Sequence, residues 1–313
     1  MSKKTIVVAL GGNALIEEGT EGTMEQQFEN TRKSMAAIVG LIQEGHRVVL
    51  THGNGPQAGV HLIRNEAASA KVPPSSLNVI VADTQGSIGY MIQQSLVNAL
   101  IKAGVEKSVV TVVTQVVVDK NDPSMLNPTK YVGPFIRPEQ IEECRAKGWV
   151  VKEDPGRGHR RVVASPIPTG IVETEVIRDL LHDGLVVIAV GGGGIPVCRN
   201  ADGTYEGVDA VIDKDRASAL LANLLEADEL LILTGVEKVA VNFRKPDQKV
   251  LDVMTVAEAE KYMAEGQFPK GSMGPKIEAA VDFIKRGGSQ VVITDLEHAQ
   301  AGAAGKAGTR VVK

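Results

Sequence analysis

Short apolar runs alternate along this chain with longer stretches whose apolar positions recur every three or four residues. The runs are Ile6-Val7-Val8-Ala9-Leu10, Val48-Val49-Leu50-Thr51-His52, Val186-Val187-Ile188-Ala189-Val190, Leu231-Ile232-Leu233-Thr234 and Val291-Val292-Ile293-Thr294. They are largely β-branched and apolar throughout rather than alternating, as expected of parallel strands buried on both faces. The first helical stretch begins at Thr23-x-x-Gln26, a capping box. Phe28, Met35, Ile38, Val39 and Ile42 share one face, and Gly45 supplies the stop. Further helices are predicted from near Asp83 to Lys102, from Glu173 to His182, and from Asp213 to about Leu225. Two more start at Thr255-x-x-Glu258 and at Pro275, the latter stopping at Gly287-Gly288. This βαβα order predicts an α/β fold whose mainly parallel sheet is covered by helices on both faces.

Four of the strands end in glycine: Gly11-Gly12-Asn13, Gly53-Asn54-Gly55, Gly191 to Gly194, and Gly235. Ligands of open α/β sheets bind just past the carboxyl ends of the strands. Glycine there lets the backbone approach closely and offer bare N–H groups, which favours an anion such as phosphate. Residues 119–168 break the rhythm and hold seven of the 14 prolines. A short helix near Glu139–Ala146 is expected there. A strand pair, Trp149–Lys152 with Arg161–Val163, would turn at Asp154-Pro155-Gly156. A long insertion of this kind reads as a lid projecting from the sheet.

Composition narrows the function. A chain of 313 residues, 43% hydrophobic, can build one large α/β domain or two lobes. Its net charge of −4, without a basic tract, argues against nucleic-acid binding. The apolar run after Met1-Ser2-Lys3-Lys4 is too short for a signal peptide or a membrane span, so neither is expected. Cys144 and Cys198 form no metal or redox pair by spacing, and two free thiols suit a reducing cytoplasm.

The common nucleotide signatures fail. No G-x-x-x-x-G-K-[ST] occurs, and Gly302-Ala303-Ala304-Gly305-Lys306 has the wrong spacing. Gly53-Asn54-Gly55-Pro56-Gln57-Ala58 fits a loose G-x-G-x-x-A, but Pro56 removes an N–H that a phosphate turn would offer. Lysines carry more information. Lys276 sits in Gly271-Ser272-Met273-Gly274-Pro275-Lys276, where helix dipole, free N–H groups and a cation converge. Lys214 lies in Ile212-Asp213-Lys214-Asp215, also at a helix start, and Lys130 lies in the insertion. Asp213 is placed either to hold Lys214 and Lys276 or to coordinate a metal. No Ser-His-Asp order, G-x-S-x-G elbow or H-E-x-x-H is present, and His52 reads as structural. Lysines and N–H donors without a general base suit phosphoryl transfer between groups that are already anionic.

These residues resemble a known family. Leu10-Gly11-Gly12-Asn13-Ala14, Thr51-His52-Gly53-Asn54-Gly55-Pro56-Gln57, Asn127-Pro128-Thr129-Lys130, Gly191 to Pro196, Ile212-Asp213-Lys214-Asp215 and Gly271 to Lys276 are similar to motifs of the carbamate kinases, of the amino-acid kinase superfamily. The resemblance runs in order from residue 5 to the C-terminus. It implies a three-layer αβα sandwich with a protruding lid, a cytoplasmic homodimer, and reversible transfer from carbamoyl phosphate to ADP, giving ATP and carbamate. Mg²⁺ would be bound mainly through nucleotide phosphates. Residues 1–184, including the lid, would hold carbamate or carbamoyl phosphate, and residues 185–313 the nucleotide. Gly11, Gly12, Asn13, Gly53 and Asn54 would contact the carbamate and the transferring group. Lys130 would reach in from the lid, Lys214 and Lys276 would neutralise phosphoryl oxygens, and Asp213 would orient the lysines. Gly191, Gly192, Thr234, Gly235, Val236, Met273 and Gly274 would line the nucleotide site. After Lys130 the family usually has Pro and later an aromatic residue, where this chain has Tyr131 and Ile136. The rivals are a kinase for another acid such as N-acetylglutamate, an enzyme working chiefly to make carbamoyl phosphate, and a non-catalytic nucleotide sensor.

Overall fold

The computed structural model describes residues 3–12, 15–16, 20–154, 158–269 and 271–313. Its main sheet has eight strands, numbered here in chain order: β1 (Thr5–Leu10), β2 (Arg47–His52), β3 (Val109–Thr111), β4 (Val186–Ile188), β5 (Glu229–Leu233), β6 (Val253–Thr255), β7 (Gln290–Thr294) and β8 (Thr309–Val312). They lie in the order β6-β8-β7-β5-β1-β2-β4-β3. All neighbours are parallel except β7 and β8, which reverses the edge formed by β8 and β6.

The longer helices over the sheet or its margins are α1 (Met24–Gln43), α2 (Gly55–Ala68), α3 (Leu77–Lys102), α4 (Thr174–His182), α5 (Lys214–Leu224), α6 (Val256–Ala264) and α7 (Met273–Lys285), and a short one, Ala299–Ala303, also packs on it. The continuous apolar runs explain the layering. On β1, Ile6, Val8 and Leu10 pack with Met35 and Ile38 of α1 and Ile88 and Ile92 of α3. Val7 and Ala9 face the opposite core, with Leu220 and Leu221 of α5 and Ile277 and Phe283 of α7. Because side chains alternate across a strand, both faces need a helical layer. The fold is the three-layer αβα sandwich expected. Among the described residues no helix is long and apolar enough to cross a membrane.

Both capping boxes form, at Thr23/Gln26 and at Thr255/Glu258. Other boundaries differ from the sequence reading. Helix α3 starts at Leu77, six residues before Asp83, directly behind Pro73-Pro74-Ser75-Ser76. Helix α7 starts at Met273, so Pro275 is its third residue, still in the first turn where no intrahelical N–H is needed. Strand β4 stops at Ile188, and Val190 adopts a left-handed conformation with φ 54°. Helix α2 was not expected; only Ala58 of its 14 residues is buried, so it carries no strong apolar stripe.

The insertion hangs from a second, four-stranded sheet. Gln115–Val118 and Pro168–Ile171 are antiparallel neighbours in it, beside Ile195–Arg199 and Tyr205–Gly207. The chain between those neighbours builds a three-stranded antiparallel sheet, Lys130–Ile136, Gly158–Val163 and Val150–Asp154, and a helix, Ile141–Ala146. The two predicted strands are present; Lys130–Ile136 is an addition. Residues Pro155 and Gly156 of the expected turn lie outside the described residues. The departures from the family motif have local roles. Tyr131 donates its hydroxyl to the Glu153 carbonyl at 2.6 Å, and Ile136 packs with Cys144 and Val151 in the insertion's own small core.

Candidate active site

Three helix N-termini and four cationic side chains meet at one cavity of about 290 Å³ above the carboxyl ends of β1 and β2. Helix α2 supplies the turn from Asn54 to Ala58, helix α5 the turn from Asp213, and helix α7 the stretch from Gly271 to Lys276. The first N–H groups of each helix have no intrahelical acceptor, so this convergence makes an anion site before any side-chain charge is counted. Pro56 does not spoil it, because Pro56 lies in the first turn of α2. Lys130, Arg160, Lys214 and Lys276 line the same cavity with only Asp213 and Asp215 as acids, leaving two more cationic than anionic groups.

The two acids divide the lysines between them. Asp215, only 4% exposed, accepts Lys214 at 2.7 Å on one oxygen and Lys276 at 3.0 Å on the other. Asp213 caps α5 with one oxygen, accepting the Asp215 N–H at 3.0 Å, and accepts Lys130 at 2.8 Å with the other. The expectation that Asp213 orients Lys214 and Lys276 is therefore corrected: Asp215 holds that pair, while Asp213 holds the lysine of the insertion. The reason is geometric. As the residue capping α5, Asp213 spends one oxygen on the helix, whereas Asp215 sits inside the first turn with both oxygens free to bridge.

Electrostatics follow from this pairing. Burial pushes the Asp215 carboxyl up, but the ammonium groups of Lys214 and Lys276 outweigh it and hold Asp215 below the usual carboxylate range. Asp213 is lowered in the same way, burial being outweighed mainly by Lys130. Lys214 moves the other way from ordinary lysine: burial pulls its pKa down, opposed by Asp215 and assisted by Lys276. His52 is buried, and burial lowers its pKa from 6.5 to about 4. Its Nδ1 donates to the Gly53 carbonyl at 2.9 Å, and its ring lies beside Gly191.

A larger cleft of about 1060 Å³ adjoins, above β1, β5 and β7, lined among others by Gly11, Thr234, Gly235 and Asn30. Gly12, Gly271, Ser272 and Lys276 line both spaces. Thus Lys276 stands at their junction.

The glycines distribute less simply than the sequence suggests. Gly53, Asn54 and Gly12 lie on the smaller cavity, and Gly11 lies on the larger cleft. Gly192, expected on the nucleotide side, lines the smaller cavity against Asn54. Strand order explains both: β1 lies between β2 and β5, so its loop serves two spaces, while β4 lies beyond β2 and cannot reach the cleft over β5. Gly191 packs on His52 and Gln85 and lines neither space. Val236, Met273 and Gly274 line neither as well. Asn13 lies outside the described residues. The sequence reading missed Asp215, Arg160 and Asn30. Asp215 was visible as the second acid of Asp213-Lys214-Asp215, but nothing in spacing alone ranks it above the first.

Fold and site are those of a small-molecule kinase working at the carboxyl edge of a parallel sheet. The chain belongs to the amino acid kinase family, matched over residues 4–295. It is 50% identical over 314 residues to a carbamate kinase of Thermococcus kodakarensis, with 99% of each chain covered. It is 48% identical over 315 residues to a carbamate kinase-like protein, YahI, of Escherichia coli, again covering 99% of each. Among solved structures, the carbamate kinase of Giardia lamblia bound to AMP-PNP superposes with a TM-score of 0.93 at 41% identity, covering 100% of this chain and 99% of that one.

Proposed function

We propose that the protein is a carbamate kinase, transferring a phosphoryl group reversibly between carbamoyl phosphate and ADP. The observation that carries this reading is Lys276 at the junction of a small cationic cavity and a cleft large enough for a nucleotide. In the direction of ATP synthesis, an oxygen of the ADP β-phosphate attacks phosphorus and the bond from phosphorus to the carbamate oxygen breaks. Both oxygens are anionic in their free forms, so no proton moves and no general base is needed. What the site must supply is position and compensating charge. Lys214 and Lys276, held by Asp215, would neutralise the phosphoryl oxygens. The N–H groups around Gly12, Gly53 and Asn54 would cradle the transferring group. Lys130, held by Asp213, would close over the acyl phosphate from the insertion acting as a lid.

On this reading residues 1–184 chiefly serve the acyl phosphate and 185–313 the nucleotide, with Thr234 and Gly235 in the nucleotide cleft. Mg²⁺ would offset charge on the nucleotide phosphates, which hold it. Asp213 and Asp215, the acids of the cavity, are already engaged by lysines, and no cluster of three acidic, His or Cys side chains among the described residues could cage a metal. We further assign the protein to the cytoplasm as a homodimer, on its likeness to the family. The test is ATP formation from ADP and carbamoyl phosphate with Mg²⁺, beside acetyl phosphate and N-acetylglutamyl phosphate. ATP from carbamoyl phosphate alone is expected. A folded protein that forms none from it, or prefers another acyl phosphate, is not a carbamate kinase.

A further inference from the structure

Helix α1 changes character halfway along its buried face. Its C-terminal half turns Met35, Ile38, Leu41 and Ile42 into the core. Its N-terminal half buries Gln27, Asn30, Thr31 and Ser34, all polar. Buried polar groups are costly unless paired, so each of these calls for a partner. Gln27 donates to the Gly22 carbonyl at 2.7 Å and accepts from Gln57 of α2 at 2.9 Å. Thr31 donates its hydroxyl to the Gln27 carbonyl at 2.6 Å. Ser34 is engaged as well.

Asn30 differs. It is only 8% exposed, yet its side-chain amide hydrogen-bonds none of the described residues. It lines the larger cleft, on the same wall as Lys33 and Ser34 and across from Thr234 and Gly235. An amide has two donors and an acceptor, and one held this deep without protein partners is suited to completion from the cleft itself. The cleft, at about 1060 Å³ against about 290 Å³ for its neighbour, is the space the proposed function gives to the nucleotide.

We infer that Asn30 is a nucleotide-recognition residue, its amide hydrogen-bonding a polar group of the nucleotide along the α1 wall. The inference rests on assigning the larger cleft to the nucleotide, and direct binding tests it whether or not carbamate is the acceptor. The experiment measures ADP dissociation constants by calorimetry for the wild type, Asn30→Ala and Asn30→Asp, with KM for ADP and for carbamoyl phosphate and thermal midpoints without ligand. Asn30→Ala should weaken ADP about fivefold to tenfold, the loss of one good hydrogen bond. Asn30→Asp should weaken it further, by facing phosphates with a second anion. KM for carbamoyl phosphate should stay within about twofold. The ligand-free midpoint of Asn30→Ala should equal or exceed that of the wild type, because the amide bonds no described residue in the free protein and Ala is the better helix former. Unchanged ADP affinity, or a shift confined to carbamoyl phosphate, overturns the inference. A variant that melts lower or fails to fold overturns it too, since the amide would then be structural.

Discussion

Replacing Asp215 with asparagine tests the electrostatic core of the site. The side chain keeps its shape but loses the charge that both buried lysines share. At 2.7 and 3.0 Å, each pair is worth about 6 kcal/mol of Coulomb attraction at an effective dielectric of about 20. Most of that offsets the burial of three charges, and removing one partner of such a group costs about 3–5 kcal/mol. The loss falls on Lys214, whose pKa burial already lowers and which Asp215 chiefly supports. Without Asp215, Lys214 gives up its proton at lower pH still. Two effects follow. The kcat for ATP formation should drop by about two to three orders of magnitude, as when a preorganised charge is removed from a transition state. Between about pH 6 and about pH 9 the pH profile of the residual activity should be displaced toward lower pH relative to the wild type, because acid restores the ammonium that Asp215 no longer supports. Initial rates of ATP formation across that range measure both. A kcat within about threefold of the wild type, with an unaltered pH profile, would refute the account, since it would mean the lysines hold their charge and place without Asp215.

Other consequences are open to direct measurement. His52, with its pKa lowered to about 4, contributes stability that is complete above its ordinary 6.5 and is lost as pH falls toward 4. The shift corresponds to about 3 kcal/mol, so His52→Gln should flatten the fall of urea midpoints over that window; parallel curves would count against it. Gly193 has φ +92°, and a Cβ there would lie 2.3 Å from the Ile212 carbonyl oxygen. Gly193→Ala should therefore cost at least about 2 kcal/mol by chemical denaturation and lower kcat by displacing Asp213; a variant as stable as the wild type would show that the loop can move away. Residues 119–168 should lose protease sensitivity when ADP and a carbamoyl phosphate analogue bind, and equal cleavage with and without ligands would argue for a fixed insertion rather than a lid.

The features legible in sequence are those whose physics is local. Continuous β-branched runs announced the buried parallel strands, and Thr23-x-x-Gln26 and Thr255-x-x-Glu258 announced two helix starts that form as read. Lys130, Lys214 and Lys276 stood out because each lies in a turn defined by glycine, proline or an acid, and all three line one cavity. What escaped depends on tertiary neighbours. Helix α2 packs against the insertion rather than the core, so its sequence lacks a stripe. Strand Lys130–Ile136 contains Gly133-Pro134 and a register shift, which disguise it. Asp215 and Lys276 are 61 residues apart, and only the packing of α5 on α7 shows that the second acid holds the distant lysine. The assignment of Gly11 and Gly192 to their spaces required the strand order.

The insertion leaves and re-enters the body through two neighbouring antiparallel strands, with Val116 opposite Ile171. Its two ends are therefore about one strand spacing apart, roughly 5 Å. A segment grafted at so narrow a waist can be lengthened, shortened or exchanged without shifting the register of the eight-stranded sheet or the Asp215 bridge between Lys214 and Lys276. Covalently the insertion is joined to the body only at this waist, whereas its contacts to the cavity run through Lys130 on Asp213 and through helix α2. A segment exchanged at Val118 and Pro168 therefore has to carry an equivalent of Lys130 and a surface that fits α2, and loop exchange between relatives that keep both is a practical route to altered acceptor preference.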